Sequence, residues 1–88
     1  MRIGTVVLLK EACLGNSINS KGICYNVYNL SNRPGYSVIF ENGEYDGFSP
    51  DECNRFLEEV MDTPFTYNFT NVMKLSRDYD NGIFKDYL

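Results

Sequence analysis

The sequence predicts an α+β fold: a small, strongly bent antiparallel sheet, then a capped helix and a C-terminal helical segment. Three observations carry this. Val6, Val7, Leu8 and Leu9 form a short apolar run, as in a strand covered on both faces. Tyr36 to Phe48 reads as two strands joined at Asn42-Gly43. Ser49-Pro50-Asp51-Glu52 carries the signals of a helix start. With 88 residues the chain is one domain. Residues 1–48 are assigned to the sheet, 49–62 to the helix and 63–88 to an extension packing on the sheet.

The elements follow in order. Ile3 to Lys10 is the first strand. Glu11 to Gly22, rich in Gly, Asn and Ser, is a long loop. Such loops are often functional, and the plain alternative is a connector with Leu14 or Ile18 tucked inward. Ile23 to Asn29 alternates, placing Ile23, Tyr25 and Val27 on one face and Cys24, Asn26 and Tyr28 on the other. Asn29 to Gly35 is a turn cluster centred on Pro34-Gly35. Tyr36 to Glu41 is the next strand. A two-residue type I′ turn at Asn42-Gly43 would set Glu41 opposite Glu44, Phe40 opposite Tyr45, Ile39 opposite Asp46 and Ser37 opposite Phe48. Ile39 and Phe48 would then pack under the helix.

In the helix, Ser49 caps, Pro50 takes the first position and Glu52 completes a capping box. Asp51 and Glu52 complement the positive end of the dipole. Cys53, Phe56, Leu57, Val60 and Met61 form an apolar stripe at helical spacing, and Pro64 ends the helix near Asp62. Phe65 to Phe69 reads as a strand. Asn71 caps a helix to Asp80 carrying Val72, Met73, Leu75 and Tyr79, with Asn81-Gly82 as terminator.

Gly4 to Val7, Lys21 to Tyr25 and Gly35 to Gly43 together resemble the SH3-like small β-barrels, in which a Tyr-x-Val-x-Phe strand often precedes an Asn-Gly or Asp-Gly hairpin. The resemblance covers residues 1 to about 48 and is one of fold. It implies a module that binds peptides, nucleic acids or protein partners, and it names no ligand.

Composition narrows the chemistry. An apolar fraction of 43% and an aromatic fraction of 15% describe a packed globule. No apolar run reaches the roughly 18–20 residues that span a bilayer. The run after Met1 is too short for a secretion signal, so a cytoplasmic protein is expected. The sequons at Asn29-Leu30-Ser31 and Asn68-Phe69-Thr70 are read as accidental. Cys13, Cys24 and Cys53 are odd in number and match no paired motif, so reduced thiols are expected. There is no histidine. That removes a fourth zinc ligand and the Ser-His and Cys-His nucleophile pairs. The expectation is a protein without cofactor, metal or catalytic activity. Carboxylate-only catalysis remains as an alternative that needs a pocket holding two acids.

The clearest functional signal is charge. Residues 1–40 carry Arg2, Lys10, Lys21 and Arg33 against Glu11. Residues 41–62 carry eight acids against Arg55, and the remainder is balanced. On a helical wheel Asp51, Arg55, Glu58, Glu59 and Asp62 fall opposite the apolar stripe, while Glu41, Glu44 and Asp46 lie on the hairpin. The leading expectation is an adaptor or inhibitor presenting this acidic hairpin–helix surface to a basic protein partner. The plain alternative is a solubilising face. Glu41, Glu44 and Asp46 lack the ligand ladder of a calcium loop. Nucleic-acid binding is disfavoured by the net charge of −4. It would have to use Lys10, Lys21 and Arg33 with Tyr25, Tyr28 or Tyr36 as stacking platforms. A structural domain of a larger assembly is a further alternative. A short, acidic, histidine-free chain rich in Asn is also similar in composition to many bacteriophage accessory proteins.

Overall fold

In a computed structural model describing residues 1–88, the apolar run forms strand β1, Thr5–Leu9, at the heart of a mixed α+β fold. It is followed by β2 (Lys21–Leu30), β3 (Arg33–Phe40), β4 (Tyr45–Phe48), α1 (Pro50–Phe56), β5 (Leu57–Asp62) and α2 (Val72–Asp80). The strands make one antiparallel sheet in the order β4-β3-β2-β1-β5. The sheet is open: β4 and β5 are its two edges, where the barrel resemblance anticipates closure.

Both faces are buried. Val7, Leu9, Cys24, Val38, Phe40 and Phe48 line one face, under Leu57 and the Cys53 and Phe56 side chains of α1. Val6, Ile23, Tyr25 and Ile39 line the other, under Phe65, Leu75 and Phe84 of the C-terminal segment. Consecutive apolar residues in β1 therefore point into two different cores.

The principal correction concerns residues 49–62. The Ser49 capping box forms as expected, with Ser49 Oγ accepting from Glu52 N at 3.2 Å and Glu52 Oε1 accepting from Ser49 N at 3.0 Å. The helix nevertheless stops after seven residues, and Leu57 turns into an extended strand at φ −120°, ψ 135°. β5 then pairs with β1 from Leu9↔Leu57 to Thr5↔Asp62. Energies explain the choice. Helix propensities differ by at most about 0.7 kcal/mol per residue among Glu, Val and Met. A buried strand edge left without a neighbour costs about 1–3 kcal/mol per unsatisfied group. The register steps between Val6 and Val7, leaving Val60 as the extra residue of a bulge.

Both hairpins exchange their expected turns. The tight two-residue turn lies at Ser31-Asn32, at φ 50° and 65°, and pairs Leu30 with Arg33. Pro34 and Gly35 lie inside β3. At the β3–β4 turn only Gly43 has positive φ (86°). Gly43 N donates to Phe40 O (2.9 Å) and Phe40 N to Glu44 O (2.8 Å), a three-residue loop ending in a glycine bulge. Asn42 is held out of the left-handed region by its side chain, which accepts from Glu44 N and donates to Leu14 O. The register moves by one, to Tyr36↔Phe48 and Ile39↔Tyr45. A one-residue slip reverses faces. Phe48 joins Phe40 under α1, whereas Ile39 packs beneath the C-terminal segment.

A second bulge steps the β2–β3 register from Cys24↔Val38 to Asn26↔Ser37, so Val27 leaves the Ile23/Tyr25 face and is exposed. Residues 65–69 form no strand, but Phe65, Tyr67 and Phe69 pack together on the sheet. α2 follows its expected bounds, with Asn71 Oδ1 accepting from Lys74 N (2.9 Å). Leu75 is buried, while Val72 and Met73 are exposed.

The Ser31-Asn32 turn gives a direct test. Both residues sit where Asn-Gly is preferred, and a non-glycine left-handed residue costs about 1–2 kcal/mol. The double variant Ser31→Asn, Asn32→Gly is expected to stabilise by about 1 kcal/mol, raising Tm by about 4–8 °C in a domain of this size. Calorimetry checks this, and an unchanged or lower Tm refutes the turn assignment.

Candidate interaction surface

The eight residues expected to share an acidic surface fall into separate groups. Glu41, Glu44 and Asp46 lie at the β3–β4 hairpin. Asp51 and Arg55 are exposed on α1, which touches β3, β4 and β5. Glu58, Glu59 and Asp62 lie on β5, at the opposite edge of the sheet from β4. The helical face that would have joined them is absent, because residues 57–62 are a strand.

Several of these charges are engaged locally. Glu41 Oε1 accepts from Lys21 N at 3.0 Å, and Asp46 Oδ1 accepts from Gly47 N at 2.8 Å. Arg55 Nε donates to Glu11 Oε2 at 3.0 Å, with its guanidinium 4.8 Å from the Phe56 ring centroid. Glu59 lies 3.6 Å from the Met1 amino group. Asp62 accepts from Thr5 Oγ1 at 2.6 Å and faces Arg2 at 3.4 Å. Glu44, Asp51 and Glu58 make no side-chain hydrogen bond or ion pair and stay exposed. Glu41, Glu44 and Asp46 form no cluster able to hold a metal.

The basic residues are dispersed. Lys21 opens β2 while Arg33 faces Leu30 at its far end, nine residues away and about 30 Å along a strand. Lys10 Nζ donates to Asn54 O at 2.7 Å. Tyr25 is buried, and Tyr28 lies across Gly35 and Gly47, where a Cβ at either glycine would strike its ring or hydroxyl. Tyr36 packs against the α1-side core. Tyr28 lines an open groove with Arg33, while Lys10 and Lys21 lie elsewhere, so the basic residues and aromatics considered from sequence do not come together as one surface.

Residues assigned to the core stripe turn out to be the most informative ones. Val60 and Met61 are 52% and 58% exposed. They border a groove of about 420 Å³ between β5 and the C-terminal segment. Val6, Leu8, Pro64 and Tyr87 supply its apolar lining, and Lys21, Asp62 and Asp86 its polar rim. The signal for this arrangement was present in β1. Four consecutive apolar residues fit a strand covered on both faces, which is the place of a central strand, and the first hairpin fills only one of its edges.

Elsewhere, ionisable groups serve the fold. Tyr67 Oη and Lys74 Nζ both donate to Asp78. Those contacts hold the Asp78 carboxyl below its ordinary range, Lys74 contributing most. Burial, then the bond to Asp78, pushes the Tyr67 hydroxyl up. Burial pushes Tyr25 up to about 12 and the Cys24 thiol up to about 11. Cys13 and Cys53 are raised for the same reason, and all three cysteines are free. No helix is long and apolar enough to cross a membrane.

Comparison of the chain with protein-family models, curated proteins and solved structures finds no match.

The raised tyrosines set an alkaline limit. Unfolded tyrosine ionises near pH 10, so above that pH the unfolded chain has lost protons that folded Tyr25 and Tyr67 retain. Their contribution is complete below about pH 10 and is lost as pH rises through the folded values. Tm is expected to fall from about pH 9, where the buried Cys24 thiol begins to contribute, and further between about pH 10 and 12 as the tyrosines do, together with a delayed rise in tyrosinate absorbance. Tyr67→Phe should shallow the fall, and a flat Tm across this range would contradict it.

Proposed function

We propose that this chain is a small non-catalytic binding protein that engages a basic partner protein through the β5 edge and the groove beside it. The observation carrying this reading is the pair Val60 and Met61, exposed at a sheet edge and flanked by Glu58, Glu59 and Asp62. Exposed apolar residues grouped beside a groove and rimmed by charge mark interaction sites. Glu58 and Asp86, on the groove side of the sheet and without an ionic partner within the chain, supply the attraction. The hairpin acids, at the other edge, are outside this surface.

The SH3-like resemblance of residues 1–48 supports a binding role. The likeness is to an opened sheet of that kind, with α1 linking the two edge strands. The absence of histidine and the raised, buried thiol of Cys24 support a role without nucleophilic catalysis.

Affinity capture from the organism that encodes the protein tests the reading. Glu58→Lys with Asp86→Lys changes two exposed side chains that make no hydrogen bond or ion pair within the fold. This variant is expected to keep the wild-type circular dichroism and Tm while losing the captured partner. Capture by the wild-type protein should weaken as salt rises from about 50 to 500 mM, as exposed charges are screened. Undiminished capture by the variant would overturn the proposal.

A further inference from the structure

Resting on that reading, we infer that the partner contributes an extended segment carrying basic and apolar side chains at alternate positions of one face, which adds as a sixth strand on the outer edge of β5. Three features of the structure lead there. β5 pairs with β1 on one side and with nothing on the other, so its outward N–H and C=O groups lack ladder partners. Strand addition uses such edges, drawing affinity from the main chain and specificity from alternate side chains. The groove beside Met61 lies on the same face as Leu8, where alternate side chains of an incoming strand would lodge.

Register fixes the charge. Lys21, Leu8 and Glu58 lie side by side across β2, β1 and β5. An added strand would stand one spacing from Glu58 and three from Lys21, about 5 Å against about 14 Å. The nearer charge dominates, since screening acts over about 8–10 Å. Asp86, on the groove rim, makes no ion pair and adds to the negative side. Because of the bulge at Val60, Glu58 and Met61 share the face of Leu8 and Val6, so a basic side chain opposite Glu58 and an apolar one two residues on, opposite Met61, fit on one face of the incoming strand. A second copy of this chain paired about Val60 does not. Antiparallel pairing of two β5 strands about Val60 would set Glu58 of one copy against Asp62 of the other, and like charges facing across strands repel.

The test uses the full chain and three synthetic peptides of repeating Lys-Thr-Val-Thr, which set Lys and Val at alternate positions of one face. One is unmodified, and each of the others is N-methylated on one of the two alternating sets of amides. The unmodified peptide is expected to bind at low salt and to slow hydrogen exchange at β5 amides selectively. One methylated peptide, blocked on the set that faces β5, should bind at least about tenfold more weakly, and the other should bind normally. Val60→Lys with Met61→Lys, at exposed positions, should weaken binding by a similar factor without lowering Tm. Equal binding of all three peptides, or protection appearing at β4, would overturn strand addition. So would a β5-mediated dimer in sedimentation. Failure of every peptide, while capture of the natural partner still depends on Glu58, would overturn strand addition and leave the partner reading standing. Loss of both would remove both.

Discussion

Everything in this fold answers to one constraint: β1 is buried on both faces and hydrogen-bonded along both edges. Val7 and Leu9 face one core, Val6 the other, and neither can be satisfied without a covering layer. The edges are equally demanding. β2 takes one side directly, but the other must be supplied by chain that arrives much later. That need overrides the helical spacing of residues 57–61 and recruits them as β5. The ladder is bracketed by Lys10 N donating to Phe56 O at 2.7 Å and Thr63 N donating to Gly4 O at 3.0 Å. α1 thus becomes a short bridge that carries the chain across one core.

The opposite face is covered more loosely in secondary structure but densely in aromatics. Phe65 packs 5.4 Å from Phe84 and 5.1 Å from Tyr87, while Tyr67 meets Tyr25 edge-on at 6.1 Å. Backbone pairing is unnecessary there, because the sheet's hydrogen bonds are already made in its own plane. Large side chains on an irregular segment suffice. Tyr67 completes the arrangement by reaching Asp78 on α2, tying the irregular segment to the helix behind it.

Local signals in the sequence were reliable where local chemistry decides. The Ser49 capping box, the Asn71 cap, the Gly82 terminator and the pairing of β3 with β4 were all legible. What escaped was decided at long range. Asn42-Gly43 looked like a type I′ turn, yet Asn42 is claimed by Leu14 and Asn16, residues of a loop far away in sequence. Pro34-Gly35 looked like a turn, yet Gly35 is needed inside β3 because Tyr28 lies across it. Glu58, Val60 and Met61 satisfy a helical wheel as well as a strand, and only the unfilled edge of β1 discriminates. The candidate surface shifted for that reason. Its acids were identified individually, but their grouping depended on a helix that ends at Phe56.

The Asn42 side chain joins more than a turn. Its amide donates to Leu14 O at 3.1 Å and its oxygen accepts from Asn16 Nδ2 at 2.9 Å. One residue earlier, Glu41 O accepts from Tyr79 Oη of α2 at 2.6 Å. Three segments from distant parts of the chain therefore meet at one end of the sheet, whereas the Ser31-Asn32 tip at the other end touches none of them. Opening of the molecule is consequently directional. The β2–β3 tip can fray alone, as a small unit of low stability. Release of the 41–43 loop must free the first long loop and the end of α2 together, so that end behaves as a single cooperative block.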